Sequence, residues 1–150
     1  MNNYEIKGLE KREKASLYLD LIQRIAQESY CVRLQVGALI EKDGNIISFG
    51  YNGTAKGRPN VCEIEVEGSL VSLDEVLHAE SNAITKACKS PISTEGATLY
   101  CTHSCCVHCA KLIVQSGIKR FIYIEGYRDS SGVDFLKACG VQVLQATNQK

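Results

Sequence analysis

Three segments, Ala97-Thr98-Leu99-Tyr100-Cys101, Arg120-Phe121-Ile122-Tyr123-Ile124 and Val141-Gln142-Val143-Leu144, decide how this chain folds. Each is a short run rich in apolar, β-branched and aromatic residues. The stretches between them carry helical signals, about Cys106–Ser116 followed by Gly117, and about Val133–Ala138 followed by Gly140. A strand–helix–strand–helix–strand order implies right-handed crossovers, and so parallel strands. Further toward the N-terminus, Val36–Ile40 and Ile46–Phe49 are β-rich runs joined by Glu41-Lys42-Asp43-Gly44-Asn45, whose Asp-Gly pair predicts a hairpin. The expectation is an α/β chain with five strands in a mixed sheet, the last of them parallel.

The remaining segments are read the same way. From about Leu9 to Glu28, Leu17, Leu21, Ile22 and Ile25 recur at helical spacing, which predicts an amphipathic first helix. Gly50 to Asn60 holds three glycines and Pro59 and reads as a loop. Val61–Val76 alternates acidic and apolar residues and is expected to be a short strand or loop leading into a turn. Within it Ser72-Leu73-Asp74-Glu75 matches a capping box. The helix that follows should end before Pro91.

With 150 residues and 45% hydrophobic content, the chain suits one domain with one core. Seventeen basic residues balance seventeen acidic ones, so no overall field favours a polynucleotide or an anionic membrane. The first thirty residues lack the apolar run of a secretory signal, and no stretch is long and apolar enough to span a bilayer, so a cytoplasmic protein is expected. In a reducing compartment the eight cysteines point to metal binding or burial rather than to disulfides. Cys88, Cys101 and Cys139 are expected to be buried small hydrophobes.

The chemistry is concentrated in His78-Ala79-Glu80 and, one strand later, Cys106-Val107-His108-Cys109. One His and two Cys supply the three ligands that a catalytic zinc needs if its fourth position is left for water. Both cysteines fall at a helix start, where free N–H groups and the helix dipole favour the thiolate. Residues two apart do not share a helix face, so His78 and Glu80 converge only if the helix starts at about His78; Ser72–Glu75 is then a separate turn. Glu80 need not be a ligand and is free to shuttle a proton. Taken alone, Cys-x-x-Cys is also compatible with a redox pair or a structural zinc knuckle. The order and context of the two motifs favour catalysis.

Beyond these ligands, Cys31-Val32-Arg33-Leu34-Gln35-Val36-Gly37-Ala38, Gly50-Tyr51-Asn52-Gly53-Thr54, Asn60-Val61-Cys62-Glu63, His78-Ala79-Glu80-Ser81-Asn82-Ala83-Ile84 and Cys109-Ala110-Lys111 resemble the zinc-dependent deoxycytidylate deaminases, and the likeness runs from about Tyr30 to the last strand. The resemblance implies a cytidine-deaminase-like three-layer α/β/α sandwich, Zn2+ on His78, Cys106 and Cys109, and Glu80 as proton shuttle in the hydrolysis of dCMP to dUMP and ammonia. The alternatives left open are deamination of a free nucleoside or of a tRNA base, and a non-catalytic zinc module. Cys105 stands where the family has proline before the first ligand cysteine; it could compete for zinc, but only Cys106 and Cys109 preserve the Cys-x-x-Cys spacing. Cys31 and Cys62 invite a second zinc site, although no further His or Cys lies between them. His108 is expected to be solvated, and His103 to pack beside the site.

The resemblance also implies substrate contacts by position: Asn52 to the sugar, Thr102 at a strand end where α/β sheets bind ligands, Tyr127 packing on the nucleotide, and Arg33 and Arg128 toward its phosphate. It further implies a homo-oligomer controlled by dCTP and dTTP, with Mg2+ accompanying the triphosphate. Ala55 replaces the family's usual proline in the loop expected near that effector.

Overall fold

The computed structural model describes residues 4–7, 9 and 13–148. In chain order the elements are β1 (Tyr4–Glu5), α1 (Ala15–Ala26), β2 (Gly37–Lys42), β3 (Asn45–Tyr51), β4 (Glu63–Val66), β5 (Ser69–Ser72), α2 (Ala79–Ala87), β6 (Thr98–His103), α3 (Val107–Gln115), β7 (Arg120–Glu125), α4 (Ser131–Ala138), β8 (Gln142–Gln145) and β9 (Thr147–Asn148). The main sheet has the order β3-β2-β6-β7-β8. β2 pairs antiparallel with β3 and β6, whereas β6, β7 and β8 run parallel. This is the expected five-stranded mixed sheet.

Period-two alternation divides the strands between two cores. Ala38, Ile40, Leu99, Cys101 and Phe121 face the layer of α2, α3 and α4, where they meet Ala83, Ile113 and Leu136. Leu39, Tyr100 and Ile122 face α1 and meet Tyr18, Leu19 and Ile22. Helices on both faces of the sheet make the three-layer α/β/α sandwich. Two glycines permit its close spacing. A Cβ on Gly37 would stand 2.7 Å from the Ala26 nitrogen of α1, and one on Gly50 would stand 2.7 Å from the Ala83 nitrogen of α2.

The β2–β3 turn has Asp43 and Gly44 both at positive φ (52° and 83°), the geometry that an Asp-Gly pair favours. The same chemistry recurs at Glu67 and Gly68 (φ 51° and 80°), which join β4 to β5. Val61–Val76 is therefore a hairpin of two short strands followed by the turn through Asp74 and Glu75, which extends the single short strand or loop expected there. The Ser72–Glu75 capping pattern begins no helix.

The first helix starts later than Leu9, and residues 10–12 of that expected span lie outside the described residues. Lys14, at φ 58°, is left-handed and marks the start of α1. The buried face is Tyr18, Leu19, Ile22 and Ala26, so Leu17, expected on the apolar stripe, is 50% exposed. Cys88 and Cys139, expected to be buried, are exposed at the C-terminal ends of α2 and α4; Cys101 is buried as expected. β1 and β9 pair with each other in a separate two-stranded sheet that sequence reading did not anticipate. No helix among the described residues is long and apolar enough to cross a membrane.

Candidate active site

α2 begins at Ala79, with His78 as its N-cap, and α3 begins at Val107, with Cys106 as its N-cap. Both N-cap residues have extended backbone, and neither side chain caps its own helix. Those side chains turn toward each other instead. His78 Nδ1 lies 3.5 Å from Cys106 Sγ and 3.3 Å from Cys109 Sγ. Cys109 reaches the same point because it follows Cys106 by three residues, nearly one helical turn.

The ligand atoms of His78, Cys106 and Cys109 all lie within 4.8 Å of one another. Tetrahedral zinc with Zn–N of about 2.0 Å and Zn–S of about 2.3 Å requires N···S separations of roughly 3.5 Å. The donor set and its spacing therefore fit zinc. Hydrogen bonds from Cys109 first and His78 second hold the Cys106 thiol well below the usual thiol range, the direction that favours a thiolate ligand. His78 is raised, chiefly by the same Cys106 contact.

Glu80, on the first turn of α2, is 3% exposed, and its Oε1 accepts a hydrogen bond from the Cys101 thiol at 2.9 Å. Burial raises its pKa above the ordinary carboxylate value, and hydrogen bonds from Cys101 and Cys109 oppose that rise. Cys101 was expected to have only a packing role. No short-range pattern links it to Glu80, because the contact spans 21 residues.

A cavity of about 610 Å³ opens beside this cluster and is lined in part by His78, Glu80, Cys106, Asn52, Arg33 and Tyr127. Asn52 accepts the Val36 N–H at 2.9 Å and donates to the Leu34 carbonyl at 2.7 Å, and so clamps the loop that carries Arg33. Arg33 donates to Ser72 Oγ at 3.0 Å. Tyr127 stacks on His103 with ring centroids 5.9 Å apart and an interplanar angle of 19°. Thr102 is buried away from the cavity lining, accepting the Gly37 N–H at 3.1 Å and contacting His103 Nδ1 at 2.8 Å. Arg128 is exposed and does not line the cavity. His108 is exposed at the cavity wall.

The β4–β5 hairpin and the turn after it add Glu63, Ser72, Leu73 and Asp74 to the cavity wall, and none of these was expected to line the site. The signal was present: the alternation Glu63-Ile64-Glu65-Val66 ending in Glu67-Gly68 is that of an exposed hairpin. Cys105 is buried in the core and is not one of the three converging ligands; burial pushes its thiol up to about 12. Cys31 and Cys62 are joined in a disulfide, with Cα atoms 5.3 Å apart. This corrects both the expectation of a chain without disulfides and the suggestion of a second zinc site there.

Three soft donors around one point, with the exposed His78 giving onto a cavity, make an open centre rather than a closed structural staple. The chain thus carries a site of the catalytic-metal type on an α/β/α scaffold. Comparison with known proteins narrows the class. The family described as the cytidine and deoxycytidylate deaminase zinc-binding region matches residues 12–125, and the chain belongs to that family. The deoxycytidylate deaminase of Enterobacteria phage T4 is 36% identical over 171 residues, covering 87% of this chain and 89% of the phage protein. ComE operon protein 2 of Bacillus subtilis (strain 168) is 41% identical over 125 residues, covering 81% of this chain and 65% of that protein. Among solved structures, the dCMP deaminase of cyanophage S-TIM5 in complex with dCMP and dUMP matches with a TM-score of 0.85 and 41% identity, over 91% of this chain and 99% of the phage chain.

Proposed function

We infer that this chain catalyses the hydrolytic deamination of dCMP to dUMP and ammonia, as one deaminase domain supplying dUMP. One coincidence carries the reading. His78, Cys106 and Cys109 converge beside a buried Glu80, in a fold that matches a phage enzyme crystallised with dCMP and dUMP.

A zinc ion held by His78, Cys106 and Cys109 supplies Lewis acidity, which makes water a competent nucleophile near neutral pH. Glu80 moves the protons. It takes one from the water that adds to C4 of the base and delivers one to the amino group as ammonia leaves. Its raised pKa suits a carboxyl group that must alternate between the two states. Its burial keeps bulk water from competing for that proton.

Arg33 is assigned to the 5′-phosphate, supported by its place on the cavity wall and by the bidentate fork that a guanidinium offers. Arg128 is assigned as a second phosphate partner, reaching in from outside the lining. Asn52 is given the sugar, and Tyr127, braced by His103, the face of the nucleotide. Thr102 contributes at one remove by fixing Gly37 and His103.

The same reading extends to control by dCTP and dTTP with Mg2+, in a cytoplasmic homo-oligomer. It rests on the likeness of Gly50–Thr54, the end of β3 and the start of the loop after it, to the family, with Ala55 in place of proline. A panel of dCMP, CMP, dCTP, deoxycytidine and a tRNA anticodon stem, scored by ammonia release, tests the assignment. dCMP should be the preferred substrate, and preference for deoxycytidine or the stem would overturn the reading.

A further inference from the structure

Cys101 sits on the face of β6 that alternation directs toward α2 and α3, together with Leu99, while Tyr100 between them faces α1. It is fully buried, and its partner Glu80 is 3% exposed. A carboxylate removed from water needs a donor. Two thiols stand close to this one. Cys109 has no proton to give once it serves as a metal ligand, because that role requires the thiolate. Cys101 lies outside the converging trio, and burial holds its pKa well above the usual thiol value, so it keeps its proton.

We propose that Cys101 is a positioning residue for the Glu80 carboxylate: its S–H, 2.9 Å from Oε1, fixes that oxygen and leaves Oε2 to carry the proton between water and the departing amine. The inference rests on Glu80 being the proton carrier and adds a residue that the metal motif does not contain. Anchoring one oxygen restricts the carboxylate to orientations that face the cavity, which it lines. The effect belongs to turnover more than to binding, since Cys101 itself does not line that cavity.

Three substitutions separate donation from packing. Cys101→Val fills the space without a donor, Cys101→Ala empties it, and Cys101→Ser restores a donor in nearly the same place. Loss of a hydrogen bond to a charged group is expected to lower kcat by about tenfold in the Val and Ala variants, with KM changed by less than about twofold. The Ser variant should recover most of the lost turnover. An infrared difference spectrum, wild type minus Cys101→Ala, gives a readout independent of activity and metal loading. The Cys101 S–H stretch should appear at lower frequency than that of an exposed thiol such as Cys88. A Val variant with wild-type kcat, a Ser variant no better than Ala, or an S–H band at the free-thiol position would overturn the proposal. Glu80→Gln keeps the two claims apart: an active Glu80→Gln sinks the proton-carrier reading, whereas an inactive one alongside a fully active Cys101→Val sinks only the role of Cys101.

Discussion

Cys31, in the loop that follows α1, is bonded to Cys62, one residue before β4, and so ties the β4–β5 hairpin to the cavity wall. The hairpin's other ties to that loop are polar, among them the Arg33 contact with Ser72 Oγ. Its β5 residues are all exposed, and Glu63 reaches back to accept the N–H groups of Val32 and Arg33 at 2.9 and 3.0 Å. Closing a loop of 31 residues is expected to stabilise the fold by roughly 3–4 kcal/mol. Reduction, or Cys31→Ser with Cys62→Ser, should lower the denaturant midpoint accordingly and expose the hairpin to proteolysis first. An unchanged midpoint with and without reductant would remove this stabilising role.

Glu80→Gln should lower kcat by about a thousandfold or more, while zinc content and melting temperature stay near those of the parent, because the amide keeps the shape but cannot carry the proton. Steady-state kinetics paired with elemental analysis check both halves. Residual turnover near the parental rate would mean that another group moves the proton.

About one zinc per chain is expected, and Cys106→Ser, Cys109→Ser or His78→Ala should each lose it. His78 and Cys106 are also the uncapped starts of α2 and α3, so chelation should loosen the first turn of both helices as well as stop turnover. Hydrogen exchange with and without a chelator reads this directly. Protection at Glu80–Asn82 and His108–Ala110 that is indifferent to chelation would separate the metal from the fold.

The 5′-phosphate should matter by about a hundredfold in kcat/KM for dCMP over deoxycytidine, because a nucleoside leaves the guanidinium contacts unmade. Arg33→Ala should remove most of that preference through KM. Equal use of dCMP and deoxycytidine by the parent protein would refute the phosphate assignment.

Gly50→Ala should destabilise by about 1–3 kcal/mol, since the new methyl meets backbone of α2 rather than a yielding side chain. Thermal unfolding tests it, and a neutral effect would mean that α2 shifts freely on β3.

Local rules made much of this molecule legible before any coordinates. The requirement that His78 and Glu80 face one point put the start of α2 within a residue of its place, and strand–helix alternation produced β6 to β8 with their parallel pairing. Failures came where a distant partner or a single backbone conformation decided the matter. The left-handed Lys14 set where α1 begins, and Tyr18 and Leu19 took its inner face, so Leu17 is left in solvent while Leu21, Ile22 and Ile25 pack on the core as the spacing required. Cys31–Cys62 and Cys101–Glu80 join residues 31 and 21 positions apart, beyond the reach of any local pattern. Arg128 and Thr102 are a separate case: their substrate roles, carried over by position, stand as proposals, and neither residue is in the cavity lining.

The pairing of β1 with β9 spans more chain than any other strand pair among the described residues, with Tyr4 opposite Asn148. Closing so long a loop carries the largest entropic cost of any ladder in the fold, and two residues a side return little for it. The main sheet and His78, Cys106 and Cys109 all lie within the segment that this small clasp closes, so the site depends on the sheet and not on the clasp.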